Sequence, residues 1–214
     1  MSRGMLTGAK RNLRASIEVQ IAAMSASERA AADRAIAERL VNHPTWLESE
    51  AVLLYDALPN EVATREPIRR ALASGKKLYL PRIDGRRIGF HRVENDGALE
   101  AYARHRYGMH EPPTEAERWD PSGLRDHPTI VVCPGRVYDV EGGRLGHGSG
   151  FYDRFFRSVF PLDPAHLQLH VVGICYEVQI VRQVPTHEHD HPIDFVVTER
   201  RMVPGRIEPA GAKE

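Results

Sequence analysis

The sequence is short of cysteine, of net charge and of long apolar runs, and each shortage excludes a class of protein. Two cysteines among 214 residues leave no disulfide framework. Cys133 lies in TIVVCP and Cys175 in HVVGICY, which predicts reduced residues of a buried core. The 29 basic and 29 acidic residues cancel, removing the electrostatic footprint of a general nucleic-acid or membrane-surface binder. No apolar stretch approaches the roughly 20 residues of a membrane span. The opening MSRGMLTGAKRNLR lacks the apolar core of a secretion signal. A monomeric, cytoplasmic protein acting on small molecules, with no nucleic-acid or membrane partner, is the expectation. No repeat or low-complexity linker interrupts the chain, so residues 1–214 are expected to form one domain with a core of its own.

What is present is an alternation of helical and strand signals. Leu13, Ile17, Ile21 and Met24 recur at spacings of four, four and three, a helical apolar stripe. Ser25-Ala26-Ser27-Glu28 reads as a capping box opening a second helix to about Asn42, so helices over about 7–42 should pack on the rest. AVLLY (51–55), KLYLP (77–81), IGFHRV (88–93), TIVVCP (129–134), HVVGICY (170–176) and DFVVT (194–198) read as strands. Thr64 to Ser74 reads as a helix with Thr64 as its cap, Pro67 in the first turn and Gly75 just beyond. A further helix follows Gly150. Residues 94–128, rich in charge and proline, read as a surface excursion with one or two short elements, and 200–214 as a polar tail. Near-continuous apolar strands alternating with helices predict a single three-layer α/β/α fold with a mainly parallel sheet.

RLGHGSGFYDR, Arg144 to Arg154, is the stretch where chemistry is expected. Gly146, Gly148 and Gly150 alternate with other residues, and glycine at positive φ lets successive amides converge on an anion. The helix behind them adds unpaired amides, and Arg144 and Arg154 add forked donors suited to phosphate oxygens. Asp153 among these cations would serve to hold a divalent metal bridging phosphates. The loop matches neither the Walker pattern nor the dinucleotide G-x-G-x-x-G. Read alone it is either a loose turn with solvated charges or a phosphate cradle. Lys10 and Arg14, four apart on one helical face, support the cradle, since a polyanion between them would turn mutual repulsion into attraction.

Taken together, the motifs resemble the 5-formyltetrahydrofolate cyclo-ligase family. K-x-x-L-R at Lys10 to Arg14, Y-x-x-x-x-x-E-V-x-T at Tyr55 to Thr64, and YGMHEP at Tyr107 to Pro112 stand in that family's order. CPG-x-x-Y-D at Cys133 to Asp139, RLGHGSGFYDR, VGICYEVQ and VPTHEHDHPIDFVVT follow. The resemblance implies an ATP- and Mg2+-dependent enzyme converting 5-formyltetrahydrofolate to 5,10-methenyltetrahydrofolate with release of ADP and phosphate. By motif, it implies that Lys10, Arg11, Asn12, Leu13 and Arg14, with Arg144, Leu145, Gly146, His147, Gly148, Ser149, Gly150, Phe151, Tyr152 and Arg154, hold ATP. It implies Asp153 and Asp190 as the magnesium residues. Glu61 would contact the pterin, Asp56 would line the substrate site, and Gly148, Ser149, Gly150 and Tyr152 would meet the substrate as well.

Two positions depart from the family pattern. Phe151 stands where tyrosine is common, and Arg136 stands where an apolar residue is usual. That cation either meets the glutamate tail of a folate or signals an altered substrate. Two rival readings are a nucleotide or folate sensor without catalysis and an ATP-dependent activation of another carboxamide. A third reads His187, His189, Asp190 and His191 as a zinc site. Alternate residues of an extended segment face opposite ways, which argues against His189 and Asp190 converging on one metal.

Overall fold

A computed structural model describes residues 3–160, 168–185 and 191–205. The chain opens with α1 (Arg3–Ala23), α2 (Ala26–Val41) and α3 (Pro44–Glu48), then enters β1 (Ala51–Leu53). Next come α4 (Arg65–Ala73), β2 (Lys77–Asp84), β3 (Arg87–Val93) and α5 (Asp96–Ala101). β4 (Thr129–Cys133), β5 (Val137–Asp139), β6 (Arg144–Leu145) and α6 (Phe151–Val159) lead to β7 (Leu169–Ile174), β8 (Ile180–Val181), β9 (Phe195–Val197) and β10 (Met202–Pro204). Seven strands form one sheet in the order β10-β9-β7-β4-β1-β2-β3. Its interior pairs, β2 with β1, β1 with β4, β4 with β7 and β7 with β9, are parallel; β3 and β10 close the two edges antiparallel.

The alternation within each strand builds two cores. Val52, Ile130 and Val172 point to one face, where they meet Ile17 and Ile21 of α1, Ile36 and Leu40 of α2, and Ile68 of α4. Leu53, Val131 and Val171 point to the other, against Phe155, Phe156 and Val159 of α6. Each large side chain so buried contributes about 1.5–3 kcal/mol. This is the three-layer arrangement the sequence implies. The Ser25 capping box forms, with Glu28 N–H donating to the Ser25 hydroxyl at 3.2 Å and Ser25 N–H to the Glu28 carboxylate at 2.8 Å. Cys133 and Cys175 are free thiols in the core, and burial pushes Cys133 up to about 11.

Two expectations change and a third gains a role. Thr64 does not cap α4: its hydroxyl donates to Tyr55 O at 2.7 Å and accepts from Ala57 N at 3.2 Å. It gathers the loop leaving β1 and ends that strand at Leu53 rather than Tyr55. The stretch expected as a polar tail from 200 opens with β10, an edge strand ending in Pro204; beyond 205 it lies outside the described residues. The excursion over 94–128 carries α5 and a 3-10 turn at Pro121–Arg125 as expected, and also guards an edge. Arg92 N–H donates to Glu117 O and Trp119 N–H to Phe90 O, each at 2.8 Å, so residues 117–119 run along β3.

A second, three-stranded sheet in the order β6-β5-β8 has no sequence signal, since strands of two or three residues show no period. Tyr138 anchors it. Its fully buried ring lies over the carboxyl ends of β4 and β7, and its hydroxyl donates to Cys133 O at 2.9 Å. A β-carbon on Gly135 or Gly173 would come within 2.5 Å of that ring. Asp139 accepts from Gly143 N–H at 2.8 Å and Val184 N–H at 2.6 Å, closing the β5–β6 turn. The buried amide of Gln179 donates to Gly135 O at 3.2 Å and Arg136 O at 3.1 Å. CPGRVYD and VGICYEVQ are therefore supports beneath β6. Gly173→Ala is expected to displace the Tyr138 ring and cost about 1–3 kcal/mol, read as a lower urea midpoint at unchanged m.

Candidate active site

From β1 the chain builds outward to β2 and β3 on one side, while β4, β7 and β9 build outward on the other. The strand order reverses between β1 and β4, and the crevice beyond the carboxyl ends at such a point is where open α/β sheets bind ligands. A cleft of about 520 Å³ lies there. Tyr55 and Asp56 from the end of β1 and Pro134 from the end of β4 line it, facing Lys10 and Arg14 of α1, Glu61, and the loop from Arg144 to Asp153.

The loop is clamped at both ends. Arg144, on β6, is buried and places Nη2 2.6 Å from Asp153 Oδ1 in the first turn of α6. Its Nη1 donates to Pro134 O at 3.1 Å, and its guanidinium carbon lies 5.6 Å from the Tyr152 ring centre. Burial acts to lower the Arg144 pKa, but Cys133 and Asp153 more than offset it, so the net direction is upward and the cation is secure. Between the clamps, Gly148 has φ 105° and Gly150 φ 65°, a region that side-chain-bearing residues rarely adopt. Gly146 does not share this conformation. Its missing side chain serves close approach, since a β-carbon there would lie 3.1 Å from Arg144 Nη1. Gly150 caps α6 without a side-chain acceptor, which leaves the first-turn amides facing the loop.

Lys10 and Arg14 project from α1 into the cleft together, as their spacing predicts. Arg14 Nε donates to Gly146 O at 2.8 Å and pins the loop to α1. Burial, and then the charge of Arg136, lower its pKa. Other expected residues do not line the cleft. Arg11 and Asn12 face solvent, and Leu13 packs on the core. Arg154 donates to Arg86 O at 2.6 Å and Ser149 O at 2.8 Å, with its guanidinium 5.2 Å from the centre of the Phe151 ring. It braces the loop from outside. Arg136, its side chain 12% exposed, pairs with Glu18 at 3.1 Å and ties α1 to the body, close enough to the cleft for its charge to act on Arg14.

Among the described residues three carboxylates line the cleft, each with different partners. Glu61 is 6% exposed: its Oε2 accepts from Leu58 N–H at 2.8 Å and its Oε1 from His147 Nε2 at 2.7 Å. Asp56 accepts at Oδ2 from both the His110 amide, at 2.8 Å, and His110 Nδ1, at 2.7 Å. Arg104 Nε donates to His110 Nε2 at 3.2 Å, which makes that nitrogen the acceptor and sets the tautomer with its proton on Nδ1. The expected substrate-lining carboxylate is thus largely committed to fixing the 107–111 segment. Glu111 beside it accepts from Ile83 N–H at 2.8 Å. The YGMHEP motif marked this segment without revealing its partners.

Asp153 gives Oδ1 to Arg144, while Oδ2 lies over the glycine loop, 3.8 Å from where a β-carbon on Gly150 would sit. Magnesium commonly takes one or two carboxylates and completes its shell with phosphate oxygens and water. One carboxylate beside a phosphate-suited loop fits that habit. Asp190 lies outside the described residues, as do His187 and His189. Among the described residues no three His, Cys, Asp or Glu side chains gather as a metal site, and His191 stacks on Phe160 at 3.7 Å. Among the described residues the buried Tyr152 hydroxyl has no hydrogen-bond partner, and burial, then Cys133 and Glu61, hold its pKa well above the usual value.

Residues 6–199 match the model of the 5-formyltetrahydrofolate cyclo-ligase family. The 5-formyltetrahydrofolate cyclo-ligase of Mus musculus is 24% identical over 204 residues, 93% of this chain and 98% of that protein. That of Escherichia coli K12 is 26% identical over 166 residues, 78% of this chain and 87% of that protein. The NMR structure of Aquifex aeolicus 5,10-methenyltetrahydrofolate synthetase superposes with a TM-score of 0.75 at 28% identity, covering 96% of this chain and 97% of that one.

Asp56→Asn keeps the shape but removes the charge that two His110 donors share. A loss of about 1.5–3 kcal/mol is expected, with faster amide hydrogen exchange over 104–112; exchange unchanged there would remove the anchoring role.

Proposed function

We propose, from the premise that this chain belongs to the 5-formyltetrahydrofolate cyclo-ligase family, that it uses ATP to convert 5-formyltetrahydrofolate to 5,10-methenyltetrahydrofolate, ADP and phosphate. One observation carries this reading. The loop suited to phosphates and the buried carboxylate suited to a heterocycle adjoin in one cleft, joined by the His147–Glu61 hydrogen bond at 2.7 Å. A nucleotide's terminal phosphate and a folate's ring system placed there would meet. The reaction is set in the cytoplasm.

The formyl group is an amide, so its oxygen is a weak nucleophile and its carbon a weak electrophile. Attack of that oxygen on the γ-phosphorus forms an O–P bond and releases ADP, leaving an iminium phosphate. N10 then attacks the carbon, the C–O bond breaks, phosphate departs and N10 loses its proton. No protein nucleophile is needed. The protein's part is positioning and charge neutralisation. Lys10 and Arg14 would meet the triphosphate from α1, and Arg144 would set the field beneath it. The amides between Gly146 and Tyr152 would cradle its oxygens. Asp153 Oδ2 would hold a magnesium ion, which when bound neutralises phosphate charge. Glu61 would accept from the pterin's amino and ring N–H groups, and the unpaired Tyr152 hydroxyl would donate to the bound substrate.

Mixing the protein with MgATP and 5-formyltetrahydrofolate should produce the near-ultraviolet absorbance of the methenyl product. No new absorbance from folded protein would leave a ligand-binding protein instead. Asp153→Asn should abolish turnover; it is preferred to alanine because alanine strands the buried Arg144 cation, a change that typically costs about 3–5 kcal/mol. An asparagine variant with full activity would remove the metal role. Lys10→Ala should raise KM for ATP by about tenfold or more, as expected for one lost charged hydrogen bond, and leave folate affinity near wild type.

A further inference from the structure

The residue between the first two loop glycines carries a side chain that the proposed chemistry does not use. His147 is 40% exposed in its side chain, yet it covers a carboxylate that is only 6% exposed. Of the two Glu61 oxygens, Oε2 is committed to the Leu58 amide three residues away, which fixes the carboxylate's orientation. The other, Oε1, accepts from His147 Nε2 at 2.7 Å. A heterocycle that reads Glu61 through its own N–H groups needs the position this imidazole N–H occupies. A planar ring with an N–H edge already sits there.

We infer that His147 is a built-in stand-in for the substrate's donor edge: its imidazole satisfies Glu61 in the ligand-free cleft and has to swing aside when the heterocycle docks. The stand-in keeps a nearly buried charge hydrogen-bonded while the site waits, which avoids the cost of an unsatisfied carboxylate. Docking then exchanges one donor for another, so the protein gives up affinity in return for a preformed site. The ring hangs from the glycine loop, whose preceding residue, Gly146, is held by Arg14 through its carbonyl. That tether lets the side chain leave Glu61 without dragging the loop backbone from α1. His147 is on this account a positioning residue, not a catalytic one, and the inference rests on Glu61 as the group that reads the pterin.

The test measures binding of 5-formyltetrahydrofolate without nucleotide, by titration calorimetry, so that no turnover intervenes. His147→Ala should bind about five- to tenfold tighter than wild type, the worth of a competing hydrogen bond to a charged acceptor near solvent. His147→Gln, which can still donate to Glu61, should stay near wild type. In a Glu61→Gln background the alanine substitution should change affinity little, because the two effects act through one contact. Thermal melting of each variant establishes that it is folded. Equal or weaker binding by the alanine variant overturns the inference while Glu61 keeps its proposed role. Wild-type protein that binds no folate, or Glu61→Gln that binds it as well as wild type, overturns the role of Glu61 and the inference with it.

Discussion

The candidate site depends on one ion pair between a buried arginine and a partly buried aspartate. Arg144 stands at the end of a two-residue strand and Asp153 in the first turn of α6, and their contact at 2.6 Å closes the glycine loop into a ring. A cation this deep is costly unless it is paired and its remaining donors are used; Asp153 and the Pro134 carbonyl supply both. The pair makes the loop's shape a property of the fold. With both ends fixed, Gly148 and Gly150 have to reverse the chain in a short span, and only residues without a β-carbon do so without strain.

Around that pair the structure divides labour between two layers of residues. The upper layer faces the cleft: Lys10, Arg14, Glu61, His147 and the loop amides. The lower layer never touches it. Tyr138 wedges between Gly135 and Gly173, Asp139 closes the turn before β6, and Gln179 holds the carbonyls of residues 135 and 136. Motifs that stand together in the sequence with the site motifs are mostly of this second kind. Their residues set the height and direction of β6, and through it where the Arg144 guanidinium lies.

What the sequence disclosed follows from which signals are local. The stripe of Leu13, Ile17 and Ile21, the Ser25 box and the buried strands are read correctly because period and capping are properties of short windows. The loop, Lys10 and Arg14 were legible for the same reason. Thr64 was misread because its hydroxyl has two suitors, a helix amide and the Tyr55 carbonyl, and only the fold decides between them. The partner of Arg136, Glu18, leaves no trace in the local sequence because it belongs to a helix remote along the chain. The Asp56–His110 bond joins residues 54 apart and has no local trace. The resemblance to a family pointed to both residues, yet only geometry shows that they hold each other.

The guarding of the large sheet's rims has a consequence for the molecule among its neighbours. An exposed strand is a template on which another chain can crystallise a strand of its own. On one flank residues 117–119 already occupy β3, and on the other β10 is three residues long and ends in Pro204, which offers no amide to a newcomer. The charged surface excursion is thus a fender along part of one rim. A sheet with two apolar faces thereby offers little free edge backbone for another chain to extend.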